Sequence, residues 1–168
     1  MNPKLKKAVE AFLVRFNESA AMGQKAERNE IEEVNKQLGG IIPTWYIELI
    51  TTYPICGISF QWQAFPPEDD FDGRSWVMWS RPQDTLTEST ELFPGIDLLT
   101  LGYFNVACDE DGTGDPYFIS AADGDNPTLY QVYHEKLTGV ETTVGNWDAA
   151  VAADTLSQFF DNAIIEKK

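Results

Sequence analysis

The stretch from Leu98 to His134 constrains the fold more than any other. It reads LLTLGYFNVACDEDGTGDPYFISAADGDNPTLYQVYH. Three apolar or aromatic runs, Leu98–Ala107, Tyr117–Ile119 and Leu129–Tyr133, are separated by turns rich in Gly and Asp. Short runs bounded in this way read as successive strands of a largely antiparallel sheet. The turns carry the carboxylates Asp109, Glu110, Asp111 and Asp115, then Asp123 and Asp125. The expectation is a sheet that displays acidic turns.

Helical periodicity brackets this sheet. Asn2-Pro3 suits a helix start, and Leu5, Ala8, Val9, Phe12, Leu13 and Phe16 fall on one face of a helix expected over residues 3–22. Asn29-x-x-Glu32 resembles a capping box, followed by Ile31, Val34 and Leu38 and ended by Gly39-Gly40. Ile42-Pro43 opens a third helix with Tyr46, Leu49, Ile50 and Tyr53, which Pro54 closes. Strands are expected at Gly57–Trp62 and, with alternating exposure, at Ser75–Trp79, around the loop PPEDDFDG. Ser80–Gly95 reads as polar turns with one helical turn near Glu88–Leu92, and Leu137–Gly145 as a loop or short edge strand. Asn146 is expected to cap a last helix with Ala149, Ala152, Ala153, Leu156, Phe159, Phe160, Ala163 and Ile164 on its apolar stripe. The class that follows is α+β: one domain over residues 1–168, a mostly antiparallel sheet flanked by N-terminal helices and a C-terminal helix.

Charge narrows the function. The chain carries 12 basic and 27 acidic residues, a net charge of −15. Between Gln37 and Glu135, two arginines stand against 16 carboxylates, so that segment alone carries −14. A one-signed field of this kind repels phosphates, which argues against nucleic acid and anionic lipid as partners. It attracts a basic protein and speeds the encounter. Glu68, Asp69, Asp70, Phe71 and Asp72 with Trp76 and Trp79 form one candidate surface: rings bury area while acids pair guanidinium groups. At least one of the two tryptophans is expected in the core. The second candidate surface comprises Asp109, Glu110, Asp111, Asp115, Asp123 and Asp125. No secretory leader pattern and no membrane-length apolar run are present, and two cysteines make no disulfide framework. The chain reads as cytoplasmic, with Cys56 and Cys108 as buried thiols.

Residues 31–57 carry Ile31, Leu38-Gly39, Ile42-Pro43, Tyr46, Leu49-Ile50 and Cys56-Gly57. Further on stand Leu101-Gly102, Gly114-Asp115-Pro116-Tyr117-Phe118 and Val132-Tyr133-His134. In order and spacing these resemble the SMI1/KNR4 (SUKH) superfamily over residues 29–165, with the helix over 3–22 as an addition. Tyr-Pro-Ile-Cys-Gly stands after the third helix where Asn-Gly-Gly is commoner in that family. The resemblance implies a non-enzymatic binding domain without a cofactor. Bacterial members are commonly immunity proteins that neutralise a toxin, often a nuclease, and fungal members are regulatory interaction proteins.

Two other chemistries have partial sets of residues in this chain. An enzyme needs a constellation, and the chain has one histidine, His134, with no nucleophile elbow, phosphate loop or zinc motif. Cys56 and His134 are a conceivable nucleophile and base, but nothing in the sequence places them together. Carboxylates are plentiful, but no pair is singled out as acid and base. Asp109-x-Asp111-x-Thr113-x-Asp115 starts like a calcium loop, yet position twelve is Ser120 where a bidentate Glu belongs. A hairpin turn that needs no ion is the expected form, leaving calcium responsiveness with the regulatory alternative.

Overall fold

The protein is described from a computed structural model over residues 1–17, 23–110, 114–136 and 139–165. Helix α1 spans Pro3–Phe16, α2 Arg28–Gln37 and α3 Thr44–Thr52. Strands β1 (Ser59–Gln63) and β2 (Arg74–Trp79) follow, then α4 (Pro82–Thr90) and α5 (Gly95–Thr100). Strands β3 (Tyr103–Asp109), β4 (Pro116–Ser120), β5 (Leu129–Val132), β6 (Thr143–Val144) and β7 (Trp147–Ala153) precede α6 (Leu156–Asp161). The seven strands form one sheet in the order β1-β2-β3-β4-β5-β7-β6, antiparallel at every pairing. The α+β expectation holds in these elements.

Asn2 does start α1: its side chain accepts the Lys4 N–H at 2.9 Å, with Pro3 at the first helical position. Leu5, Ala8, Val9, Phe12 and Phe16 are buried, as the spacing requires. The helix ends at Phe16, and residues 18–22 lie outside the described residues. Helix α2 begins at Arg28 after Glu27 with no side-chain cap, so the expected Asn29 capping box does not form. Asn35 does the local work there: its amide bonds both the N–H and the carbonyl of Ile42, fixing the turn into α3.

Helices α1 and α6 lie together on one sheet face. Phe12 meets Phe60 at 5.0 Å and Phe160 at 5.3 Å between ring centroids, and Trp79 meets Phe160 at 5.0 Å. Edge and tilted contacts of this kind add to the ~1.5–3 kcal/mol from burying each large side chain. Arg15 of α1 donates to the carbonyls of Phe160 (2.6 Å) and Ala163 (3.3 Å), capping α6 across the chain. On the other face, Leu98, Phe118, Val132, Val144 and Ala149 make a smaller apolar cluster.

Three further expectations fail. Residues 82–90 are the helix α4, with Pro82 first and the Arg81 N–H bonded to Asp84 at 3.0 Å. Its polarity hid it, since only Leu86 among its buried residues is a large aliphatic. The run Leu98–Ala107 is not one strand: Leu98–Thr100 ends α5, Gly102 turns at φ +88°, and β3 starts at Tyr103. The continuous final helix is also absent. Gly145 and Asn146 form the two-residue loop of the β6–β7 hairpin, with Gly145 at φ +62°. Ala149, Ala150 and Val151 then pair with β5, and Thr155 caps the short α6 by accepting the Gln158 N–H. Cross-strand pairing overrides the helical spacing of small alanines there.

Candidate functional site

The ends of β1, β3 and β5 and the starts of β2, β4 and β7 meet at one end of the sheet, because every pairing is antiparallel. The β1–β2 loop crowns it. Its neck is closed by the Ala64 and Phe65 N–H groups, both bonded to the Gly73 carbonyl at 2.9 Å, and its tip by a Glu68–Phe71 bridge. Gln63 Nε2 donates to the carbonyls of Phe65 and Asp72, and Asp72 accepts the Arg74 N–H. Gly73 is required, since it sits at φ +73° and a Cβ would strike the Phe65 carbonyl. This frame leaves the Phe65 and Phe71 rings 49% and 47% exposed, 6.3 Å apart. Contiguous exposed apolar surface rimmed by polar residues marks interaction sites more than singly scattered hydrophobics do.

Beneath those rings lies a cavity of about 370 Å³, lined also by Arg74, Ser75, Asp115 and Tyr133. Ser75 Oγ donates to the buried Asp109 at 3.0 Å. Asp115 accepts both the His134 N–H and, at 3.0 Å, a contact from His134 Nδ1, which ties the β3–β4 turn to the end of β5. Burial, then the nearby Asp115 charge, pushes the Tyr133 hydroxyl upward in pKa. A second cavity of about 220 Å³ is also lined by Tyr133, with Asp97, Glu135, Trp147 and Asp148 around it. The Trp147 indole N–H donates to Asp97 at 3.1 Å, and its ring stacks on Phe93, which is 54% exposed.

The two acidic surfaces expected from the sequence therefore meet only in part. Phe71 and Asp115 line one cavity, with Asp72 on Arg74 at 3.7 Å and Asp109 one hydrogen bond away through Ser75. Glu68, Asp69 and Asp70 stand exposed at the loop tip, and Glu110 follows β3, its N–H bonded to the Trp76 carbonyl. Asp111 and Thr113 lie outside the described residues. Asp123 and Asp125 sit at the opposite end of the sheet, in the β4–β5 connection, where Asp125 accepts from Asn2. Trp79 is fully buried, so it offers nothing to a partner. Trp76 is half-buried on the sheet face opposite to Ser75 and does not line the cavity. Among the described residues, no group of three or more His, Cys, Asp or Glu side chains is placed to hold a metal ion.

Cys56 bridges Gln24, and burial pushes its thiol up to about 12. Cys108 is likewise raised to about 12, by burial first and then by the Glu88 charge. A thiol so disposed is a poor nucleophile at neutral pH. Glu88 on α4 is half-buried, and desolvation raises its pKa above the ordinary carboxylate value. Sequence reasoning missed Phe65, Phe93, Asp97, Tyr133 and Trp147 as site residues. Phe65-Pro66 and Phe93-Pro94 were the available signal, an aromatic set just before a proline that ends regular structure. No helix among the described residues is long and apolar enough to cross a membrane. Searches of protein-family models, curated proteins and solved structures find nothing that matches this chain.

Proposed function

We propose that this chain is a non-enzymatic binding domain of the SMI1/KNR4 (SUKH) type, an immunity protein that neutralises a basic toxin domain, such as a nuclease, in the cytoplasm. One observation carries the reading: exposed Phe65 and Phe71 overhang a cavity at the sheet end where Asp72, Asp109 and Asp115 gather, in a chain of net charge −15. Rings supply buried area and carboxylates supply steering and charge-assisted bonds to a basic surface. A nuclease is basic where it holds phosphate, so such a surface plugs it. Burial raises both thiols, which makes Cys56 and Cys108 poor nucleophiles and favours the reading of binding without turnover.

The test is protection of cells that express the toxin domain encoded beside this chain's own gene. Co-expression of the chain is expected to restore growth. Asp70→Lys and Asp72→Lys are expected to lose protection, while Glu33→Lys on the exposed face of α2 keeps it. No neighbouring toxin gene, or no protection by the intact chain, overturns the immunity reading. Multiple turnovers on nucleic acid, peptide or glycan that a single carboxylate-to-amide change abolishes would overturn the non-enzymatic one.

A further inference from the structure

The small apolar cluster of Leu98, Phe118, Val132, Val144 and Ala149 carries an outer layer of its own. Tyr103, Tyr130 and Trp147 pack on it, and none of the three lines the cavity under Phe65 and Phe71. Tyr103 meets Tyr130 edge-on at 6.2 Å, and Tyr130 pairs across strands with Val151. Trp147, Ala149 and Val151 alternate along β7 and so share one side of it. Phe93 stacks on Trp147 at 6.2 Å. Leu101 lies against Gly145, where a Cβ would strike its Cδ1. Phe93 and Leu101 are 54% exposed and Val151 is 43% exposed. Contiguous apolar surface of this kind marks a docking face when its rim is polar.

The rim here has one dominant sign. Asp97 holds the Trp147 indole N–H, Asp148 follows Trp147, and Glu91 precedes Leu92-Phe93. The Asp123 charge, after burial and Tyr130, helps to raise the Tyr103 hydroxyl. From Pro82 to Ile165, the stretch that supplies all these residues, the chain has one Lys, Lys136, and no Arg. A two-fold contact between copies would set this acidic rim against itself. An anionic bilayer is repelled for the same reason.

We infer that this face docks an amphipathic helix of a partner protein, with an apolar stripe flanked by Lys or Arg. Helices cover apolar sheet surface elsewhere in this fold: α1 and α6 lie on the opposite face, and α5 packs on the small cluster through Leu98. Helix α5 has six residues, and Val151 stays exposed. A partner helix completes the layer, its stripe on Phe93, Leu101 and Val151 and its bases on the rim carboxylates. The inference stands apart from the immunity reading, which uses the sheet end beneath Phe65 and Phe71.

The probe is an acetylated and amidated peptide of about 14 residues, with Leu on one helical stripe and Lys elsewhere. One control replaces Leu by Ala and keeps the charge; the other replaces Lys by Glu and keeps the stripe. Each is titrated into the full chain at about 0.15 M salt and followed by indole NMR and by peptide helicity in circular dichroism. The Leu/Lys peptide is expected to bind at least about tenfold tighter than either control and to gain helix on binding. The double variant Phe93→Ser, Val151→Thr should lose the advantage over the Ala peptide, while Phe65→Ser on the β1–β2 loop keeps it. Amide spectra report folding. If the double variant unfolds, the Trp147 indole resonance of the intact chain serves, and it should shift with the Leu/Lys peptide. An advantage that survives the double variant or is removed by Phe65→Ser overturns the inference. So does an unmoved Trp147 indole, binding without a gain of helix, or equal binding of the Glu peptide. A dimer in sedimentation that Phe93→Ser dissociates gives the face to a second copy and overturns it too. The peptide results leave the immunity reading untouched.

Discussion

Glu88 shows how one residue sets a pH dependence of unusual sign. Burial favours its neutral form, so its pKa in the folded chain lies above 4.5. As pH rises from 4.5, the unfolded chain loses this proton first, and the folded chain binds more protons. Its contribution is full below 4.5 and falls away as pH passes through the raised value. Glu88→Gln is expected to abolish that fall, so the stability gap between variant and parent grows in the variant's favour toward neutral pH. Urea titrations over this range measure it, and parallel curves would refute it. Tyr46 gives a second test. Among the described residues, its hydroxyl and the Trp79 indole N–H are both buried without a hydrogen-bond partner. A buried hydroxyl with no partner contributes little, so Tyr46→Phe is expected to cost less than about 0.5 kcal/mol or to stabilise, as thermal melts would show. The tryptophans also mark what the sequence can disclose at this scale. Alternation along Ser75–Trp79 puts Trp76 and Trp79, three residues apart, on opposite faces, so one of them is in the core as expected, and it is the α1–α6 layer that decides which face is inside.

At the scale of elements, periodicity was most legible where side chains are large. The stripes of α1 and α3 and the strands around Tyr117 and Leu129 read true, because misplacing a Phe or Leu costs several kcal/mol. Residues 149–153 misled because alanine and valine fit either period, and the Gly145-Asn146 hairpin decides the outcome by delivering them to β5. Helix α4 escaped notice since its inner face is mostly Thr and Ser. Of the candidate site, the loop carboxylates and Phe71 were legible as loop chemistry. Tyr133 and Trp147 were not, since only strand pairing carries them to the same sheet end as Phe71. The β1–β2 loop is itself testable. Gly73→Ala imposes a left-handed backbone on alanine and a clash with Phe65, and is expected to cost on the order of 2 kcal/mol. Chemical denaturation checks it. Thr155→Ala removes the cap of α6 and is expected to cost about 1 kcal/mol by the same measurement.

For the whole molecule, the dominant quantity is charge. A net charge of −15 repels itself in the compact state, and salt screens that repulsion over about 10 Å at 0.1 M. Melting temperature is therefore expected to rise with ionic strength, while association with a basic partner slows steeply over the same range. Paired melting and stopped-flow series would show the opposed trends; a partner whose association rate ignores salt would relegate the acidic surface to solubility. A different consequence follows from α1 lying on α6, with Arg15 holding the Phe160 and Ala163 carbonyls. During synthesis α1 leaves the ribosome well before α6 is made. Until then Leu5, Val9, Phe12 and Phe16 have no α6 to cover them. Closing that contact joins residues about 145 positions apart, so it comes late and its loop-closure entropy delays it further. The nascent chain thus carries an uncovered apolar stripe from the completion of α1 to that of α6, and shielding it over that interval is expected to raise the yield of folded protein.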